Sequence, residues 1–213
     1  YGELQARSIR FANALRDFGI EREHRVALLL NDTVDYPVAF WGAIRAGCVA
    51  IPLNIYLTLP QYTYILADCR AQALVADAAL ADAIRPVLET LPRRPTLILV
   101  ESTNAPTSSW PGLSRPSTSS KPATPQDVDA RHKAGHDAGK VAHAFENLIA
   151  KADTKPLTAD TLSDEVAFWF YTSGSTGDPK GVKHVHSNLM ATAKLFGQGI
   201  LGITENDVVH SAS

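Results

Sequence analysis

The chain has 213 residues, of which 45% are apolar and 20% charged, and a formal net charge of -2. This is the composition of an ordinary globular protein. It excludes the basic footprint of a nucleic-acid binder, and no apolar run is long enough to span a bilayer. Residues 1–20 carry scattered charges and no apolar block, so they do not read as a secretory leader. Cys48 and Cys69 form neither a C-x-x-C pair nor a metal-type cluster. They read as two buried thiols in a reducing compartment, and a cytoplasmic enzyme is expected. The chain opens at Tyr1 directly on a helical pattern and stops at Ser213 after the strand-like Val208-Val209, which reads as a chain cut at both ends.

Residues 1–100 alternate helical and strand patterns. Leu4, Phe11, Leu15 and Phe18 recur at helical spacing from Gly2 to Phe18, and Gly19 stands where a C-terminal cap belongs. Val26 to Leu30 is a continuous apolar run, as in a strand buried on both faces. Thr33 is placed to cap a second helix, with Pro37 in its first turn and Gly47 at its end. Val49 to Ile51 is a short strand, and Thr58-Leu-Pro-Gln61 is a capping-box pattern that opens a third helix. Ala73 to Ala76 and Thr96 to Val100 are further strands, separated by one helical stretch over Ala79 to Thr90. This alternation predicts an α/β fold, a largely parallel sheet with flanking helices.

Residues 101–140 interrupt the pattern. Ser, Thr and Pro crowd Ser102 to Thr124, and Gln126 to Lys140 is polar. Such a segment lacks the apolar surface to offset its ordering entropy, so a low-complexity, disordered insertion is expected. Trp110 to Ser117 and Asp127 to Asp137 resemble the in-frame translation of an interspersed repetitive DNA element of bacterial genomes. His132 and His136 share helical spacing, but Gly135 weakens that helix and no Glu follows His132, so a solvated insertion is the better reading. Order resumes at Val141, with Phe145, Leu148 and Ile149 on one face of a short helix, and residues 141–213 are expected to continue the same domain.

The chemistry concentrates in Tyr171-Thr-Ser-Gly-Ser-Thr-Gly-Asp-Pro-Lys-Gly-Val182, which follows the aromatic, strand-prone run Val166 to Tyr171. Gly174, Gly177 and Gly181 permit backbone angles that gather amide N–H groups on one concave side. Thr172, Ser173, Ser175 and Thr176 add hydroxyl donors, and Lys180 adds a positive charge after the restricting Pro179. Donors and one lysine on a loop anchored by a strand suit a polyphosphate. A Walker A loop would need Gly-Lys-Ser/Thr opening a helix, whereas Lys180 lies three residues after Gly177 and precedes Gly181-Val182. Strand–loop–strand is therefore predicted, with a helix from about Ser187 to Leu195. Composition alone leaves a plain Ser/Gly hairpin loop open.

The twelve-residue string resembles the signature phosphate loop of the adenylate-forming superfamily, which includes acyl-CoA synthetases, peptide-synthetase adenylation domains and beetle luciferases. Trp41 to Asn54 resembles that superfamily's earlier helix–strand motif, and Tyr1-Gly-Glu-Leu4 the opening of its first helix. The flanks Phe168 to Tyr171, His184 to Asn188, Ile200 to Ile203 and Asn206 to Val209 are most similar to benzoate–CoA and related aryl-CoA ligases. The resemblance implies a two-step reaction using ATP, Mg2+ and coenzyme A: a carboxylic acid becomes an acyl-adenylate, and the coenzyme A thiol then displaces AMP. It implies that Thr172, Ser173, Ser175 and Thr176 bond the departing phosphates, that Gly174 and Gly177 allow close approach, and that Lys180 neutralises their charge. It also implies that the adenine site, the acid pocket and the C-terminal catalytic lysine lie outside this chain. Other outcomes in view are another adenylate-forming enzyme, such as a fatty acyl-CoA synthetase or peptide-synthetase domain, a P-loop nucleotide module, or a non-catalytic remnant.

Six further residues read as structural. His186 or Ser187 is expected to cap the following helix, and His184 carries no assigned acid–base role. Trp169 and Phe170 are expected in the core rather than against an adenine ring. Asp178 is expected to be a turn residue rather than a magnesium ligand.

Overall fold

The computed structural model describes residues 1–101, 142–172 and 178–209. The strands are β1 (Arg25–Leu29), β2 (Val49–Pro52), β3 (Ala73–Asp77), β4 (Thr96–Val100), β5 (His143–Ala144), β6 (Val166–Thr172) and β7 (Lys180–Val185). They form one sheet in the order β5-β4-β3-β1-β2-β6-β7. Every adjacent pair is parallel except β6–β7. The helices among the described residues are α1 (Gly2–Asp17), α2 (Asp35–Arg45), α3 (Leu59–Cys69), α4 (Ala78–Ala83), α5 (Arg85–Thr90), α6 (Phe145–Lys151) and α7 (His186–Thr192), the last running into a π-helical turn, Ala193–Gln198.

Strict alternation along β1 splits the core in two. Val26, Leu28 and Leu30 join Phe11, Leu15, Val38, Phe145 and Ile149 beneath α1, α2 and α6. Ala27 and Leu29 join Tyr62, Ile65, Leu66 and Ile84 beneath α3, α4 and α5. A strand covered on both faces needs apolar side chains at every position, which is why the Val26–Leu30 run is unbroken. Gly42 brings α1 and α2 together: a Cβ there would stand 2.7 Å from Phe11 Cδ1 and 3.0 Å from the Ser8 carbonyl.

The expected helix ends are present. Gly19 has φ +70, its N–H donates to the Arg16 carbonyl (2.8 Å), and the Ile20 N–H donates to the Leu15 carbonyl (3.0 Å). Gly47, with φ +80, repeats the arrangement, its N–H bonding the Ile44 carbonyl (3.0 Å) while the Cys48 N–H bonds that of Ala43 (2.9 Å). Both are Schellman motifs, which require a left-handed residue and so favour glycine. The Thr58 N–H donates to Gln61 Oε1 at 2.9 Å, completing the capping box of α3. Thr33 acts one residue before the position expected of it: Val34 is the N-cap, and the Thr33 Oγ1 accepts from the Asp35 N–H at 3.4 Å.

The single helix expected over Ala79 to Thr90 is two, broken at Ile84. Pro86 is the cause, since it has no N–H to bond back into the preceding turn and restricts the residue before it. The segment expected as an insertion falls almost wholly at 102–141, outside the described residues. Beyond it the chain is tied to the first hundred residues. Asn13 Nδ2 donates to the Asp153 and Lys155 carbonyls (2.7 and 3.0 Å), and the Ala159 N–H donates to the Arg45 carbonyl (2.8 Å). These bonds lead the chain across α1 and α2 to the start of β6.

Candidate functional site

Because β6 runs parallel to β2, with Ala50 opposite Phe168, its last residue lies on the carboxyl edge of the sheet. In open α/β sheets that edge is where ligands bind. β7 returns antiparallel, and its rungs run from Phe168–His184 through Tyr171–Gly181 to Thr172–Lys180. Thr172 and Lys180 therefore face each other across the last rung, both exposed, and Ser173, Gly174, Ser175, Thr176 and Gly177 between them lie outside the described residues. Asp178 is exposed and Pro179 buried. Lys180 opens a strand, not a helix, so a Walker A arrangement is excluded.

The hairpin's neighbours depart from expectation in two places. Phe168 is the core aromatic of β6, at 4% exposure, while Phe170 stays 44% exposed and Trp169 is half-buried. Phe170 is thus not core, because β6 registers with β2 only through Phe168 and nothing described covers the outer face beyond it. Neither His186 nor Ser187 caps α7 through its side chain. Their N–H groups are instead bonded by the Glu165 and Ser163 carbonyls, at 3.0 and 2.9 Å. His184 stacks on Phe168 with centroids 4.6 Å apart and 5° between planes, and its Nδ1 lies 3.4 Å from Asn188 Nδ2. That packing gives it a structural place. The Trp169 Nε1 is buried without a hydrogen-bond partner, and Lys183 Nζ lies 5.6 Å from its ring centroid.

Two features of the site left no mark in the sequence. Tyr171 Oη donates to Asp68 Oδ2 at 2.6 Å, a contact between residues 103 positions apart. Burial, and then this bond, raise the phenol well above its ordinary pKa, so it stays a proton donor. At the carboxyl ends of β1 and β3, Asp77 Oδ2 accepts from the Asn31 N–H (2.5 Å) and Nδ2 (2.8 Å). Burial raises the Asp77 carboxyl, against the lowering effect of those two bonds. Strand order reverses between β1 and β3, the kind of switch point at whose carboxyl ends open α/β sheets bind ligands.

Two cavities stand out among the described residues, and neither is lined by Thr172 or Lys180. One of about 530 Å³ lies between α1, α2 and the 158–161 segment. One of about 510 Å³ lies near the amino ends of β1 and β2, beside Trp169 and Lys183. Cys48 and Cys69 are free and buried, and burial pushes each thiol up to about 12. Among the described residues no helix is long and apolar enough to cross a membrane.

A mostly parallel sheet with flanking helices, whose carboxyl edge holds Thr172 opposite Lys180, is the α/β class of enzyme domain that binds ligands at that edge. The AMP-binding enzyme family matches residues 1–213, and the chain belongs to that family. It is 37% identical over 213 residues to a 4-hydroxybenzoate–CoA/benzoate–CoA ligase of Rhodopseudomonas palustris, covering all of this chain and 33% of that protein. It is 33% identical over 214 residues to a benzoate–CoA ligase of Thauera aromatica, covering all of this chain and 34% of that one. The crystal structure of a benzoate CoA ligase from Burkholderia xenovorans superposes with a TM-score of 0.72 at 35% identity, over 97% of this chain and 33% of that one. The chain thus spans about a third of the length of the relatives it matches.

Proposed function

We propose that this chain is the phosphate-gripping part of an ATP-dependent acid–CoA ligase that activates benzoate or a related aryl acid. The observation that carries this is the likeness over the whole chain to ligases named for benzoate and hydroxybenzoate. In the proposed reaction the acid's carboxylate attacks the α-phosphate of ATP, giving an acyl-adenylate and pyrophosphate. The thiol of coenzyme A then attacks the acyl carbon, and AMP leaves as the thioester forms. Thr172 and Lys180 are assigned to the β- and γ-phosphates, with Ser173, Ser175 and Thr176 adding hydroxyl donors and Gly174 and Gly177 allowing close backbone approach. An ammonium and a hydroxyl exposed across one rung can both donate to a polyanion, which fits this assignment. Magnesium would enter with ATP, and no side chain of this chain is assigned to it. A cytoplasmic location suits the two unbridged thiols. Residues 101–140 are proposed to be an insertion without a catalytic role.

The test is acid-dependent ATP–pyrophosphate exchange by the whole gene product that contains this chain. Benzoate and hydroxybenzoates should support exchange better than long-chain fatty acids. Lys180→Ala should slow it about ten- to a hundred-fold, the loss of one charge-assisted hydrogen bond, and leave acid binding unchanged. Equal rates for the parent and Lys180→Ala would overturn the assignment, and a preference for fatty acids would overturn the aryl specificity. Residues 1–213 alone should show no exchange, since positioning two substrates takes more than one loop.

A further inference from the structure

The far half of the β6–β7 hairpin leaves the sheet early. β6 is registered with β2 at Ala50–Phe168 alone, so the main chain from Trp169 to Thr172 is paired with β7 only, and Lys180 to Lys183 of β7 are exposed. Thr172 and Lys180 therefore stand at the end of a thin two-stranded ribbon, and such a ribbon is marginally stable by itself. One rung before them, Tyr171 is held from two sides. Its hydroxyl donates to Asp68 Oδ2 at 2.6 Å, and Asp68 belongs to α3, whose Tyr62, Ile65, Leu66 and Cys69 are all buried in the core. Its ring lies across Gly181, the residue directly opposite, where a Cβ would come within 3.2 Å of Cζ.

We propose that Tyr171 and Asp68 form a brace that positions Thr172 and Lys180, and that Gly181 is glycine to let the Tyr171 ring lie flat against the ribbon. Neither brace residue touches the phosphates; both act through the last rung. This rests on the acid–CoA ligase reading for its catalytic consequence, while the brace itself is a property of the fold.

The experiment compares Tyr171→Phe, Asp68→Ala, Asp68→Asn and the double variant Tyr171→Phe/Asp68→Ala in the whole gene product. Tyr171→Phe keeps the ring over Gly181 and removes only the hydroxyl, so folding is retained. ATP–pyrophosphate exchange should show KM for ATP raised about three- to tenfold in each of Tyr171→Phe and Asp68→Ala, with KM for the acid unchanged. The double variant should be no worse than either single one, because both remove the same bond. Asp68→Asn, which keeps an acceptor oxygen, should recover most of the loss. A parent that exchanges together with single variants of unchanged KM for ATP, or additive losses in the double variant, would overturn the brace and leave the functional reading standing. A parent that exchanges with no acid overturns that reading instead. The brace is then judged by hydrogen exchange at the amides of the β6–β7 ladder, which should quicken about three- to tenfold in Tyr171→Phe and Asp68→Ala; unchanged protection would overturn it.

Discussion

The block from β5 through β2 and the β6–β7 ribbon are built on opposite terms. In the block, β1, β2 and β3 are apolar and almost wholly buried, with helices on both faces. In the ribbon, β7 is exposed at Lys180 to Lys183, and neither α7 nor the π-helical turn buries a residue. The block holds most of the hydrophobic burial, so it carries the stability. The ribbon carries the candidate chemistry at its tip. Substitutions in the two regions should therefore separate: the block should lose fold, the ribbon activity.

The largest effect is expected in the block. Phe11→Ala removes a ring with 0% exposure that packs 5.0 Å from Phe145, and should cost about 3–5 kcal/mol in urea unfolding. In the ribbon, Lys180→Ala should slow adenylation as stated above while shifting stability by no more than about 0.5 kcal/mol, since Lys180 is exposed. A large loss of stability there would break the comparison. The block's thiols should add a pH-dependent effect that is smaller per pH unit. Cys48 and Cys69 are raised from 9.0 to about 12 by burial, so the unfolded chain releases those protons first. Stability is then fully present below pH 9 and falls as pH rises from 9 toward 12, by at most about 1.4 kcal/mol per pH unit for each thiol. Cys48→Ala should flatten that slope in unfolding curves taken across this range. Thr58→Ala, at the cap of α3, should cost about 1 kcal/mol. Smallest of all, excision of 101–140 should leave both the unfolding midpoint and the exchange rate near parental values, and loss of either would refute the insertion reading.

The two regions also differed in how far they could be read in advance. The block's elements were legible because each is specified locally. Gly19 and Gly47 end helices through their left-handed backbone, Thr58 and Gln61 begin one, and the unbroken Val26–Leu30 run marks a strand covered twice. The break at Ile84 was also encoded locally, in Pro86, and was missed because the apolar spacing continues through it. In the ribbon, strand–loop–strand was legible from Gly181-Val182 after Lys180. The exposure of Phe170 was not, because it depends on where β6 parts from β2.

The amino-acid sequence by itself determined the α/β alternation, the family and the loop that carries Thr172 and Lys180, since each is written in contiguous residues whose backbone preferences and donors act over a few positions. The tertiary structure decided which edge of the sheet receives that loop, the two separate cores, and the partner of Tyr171. Asp68 is 103 residues away, and only the docking of β6 against β2 beside α3 brings its carboxylate within 2.6 Å of the phenol. A hydrogen bond depends on distance in space, and periodicity along a chain gives no measure of that.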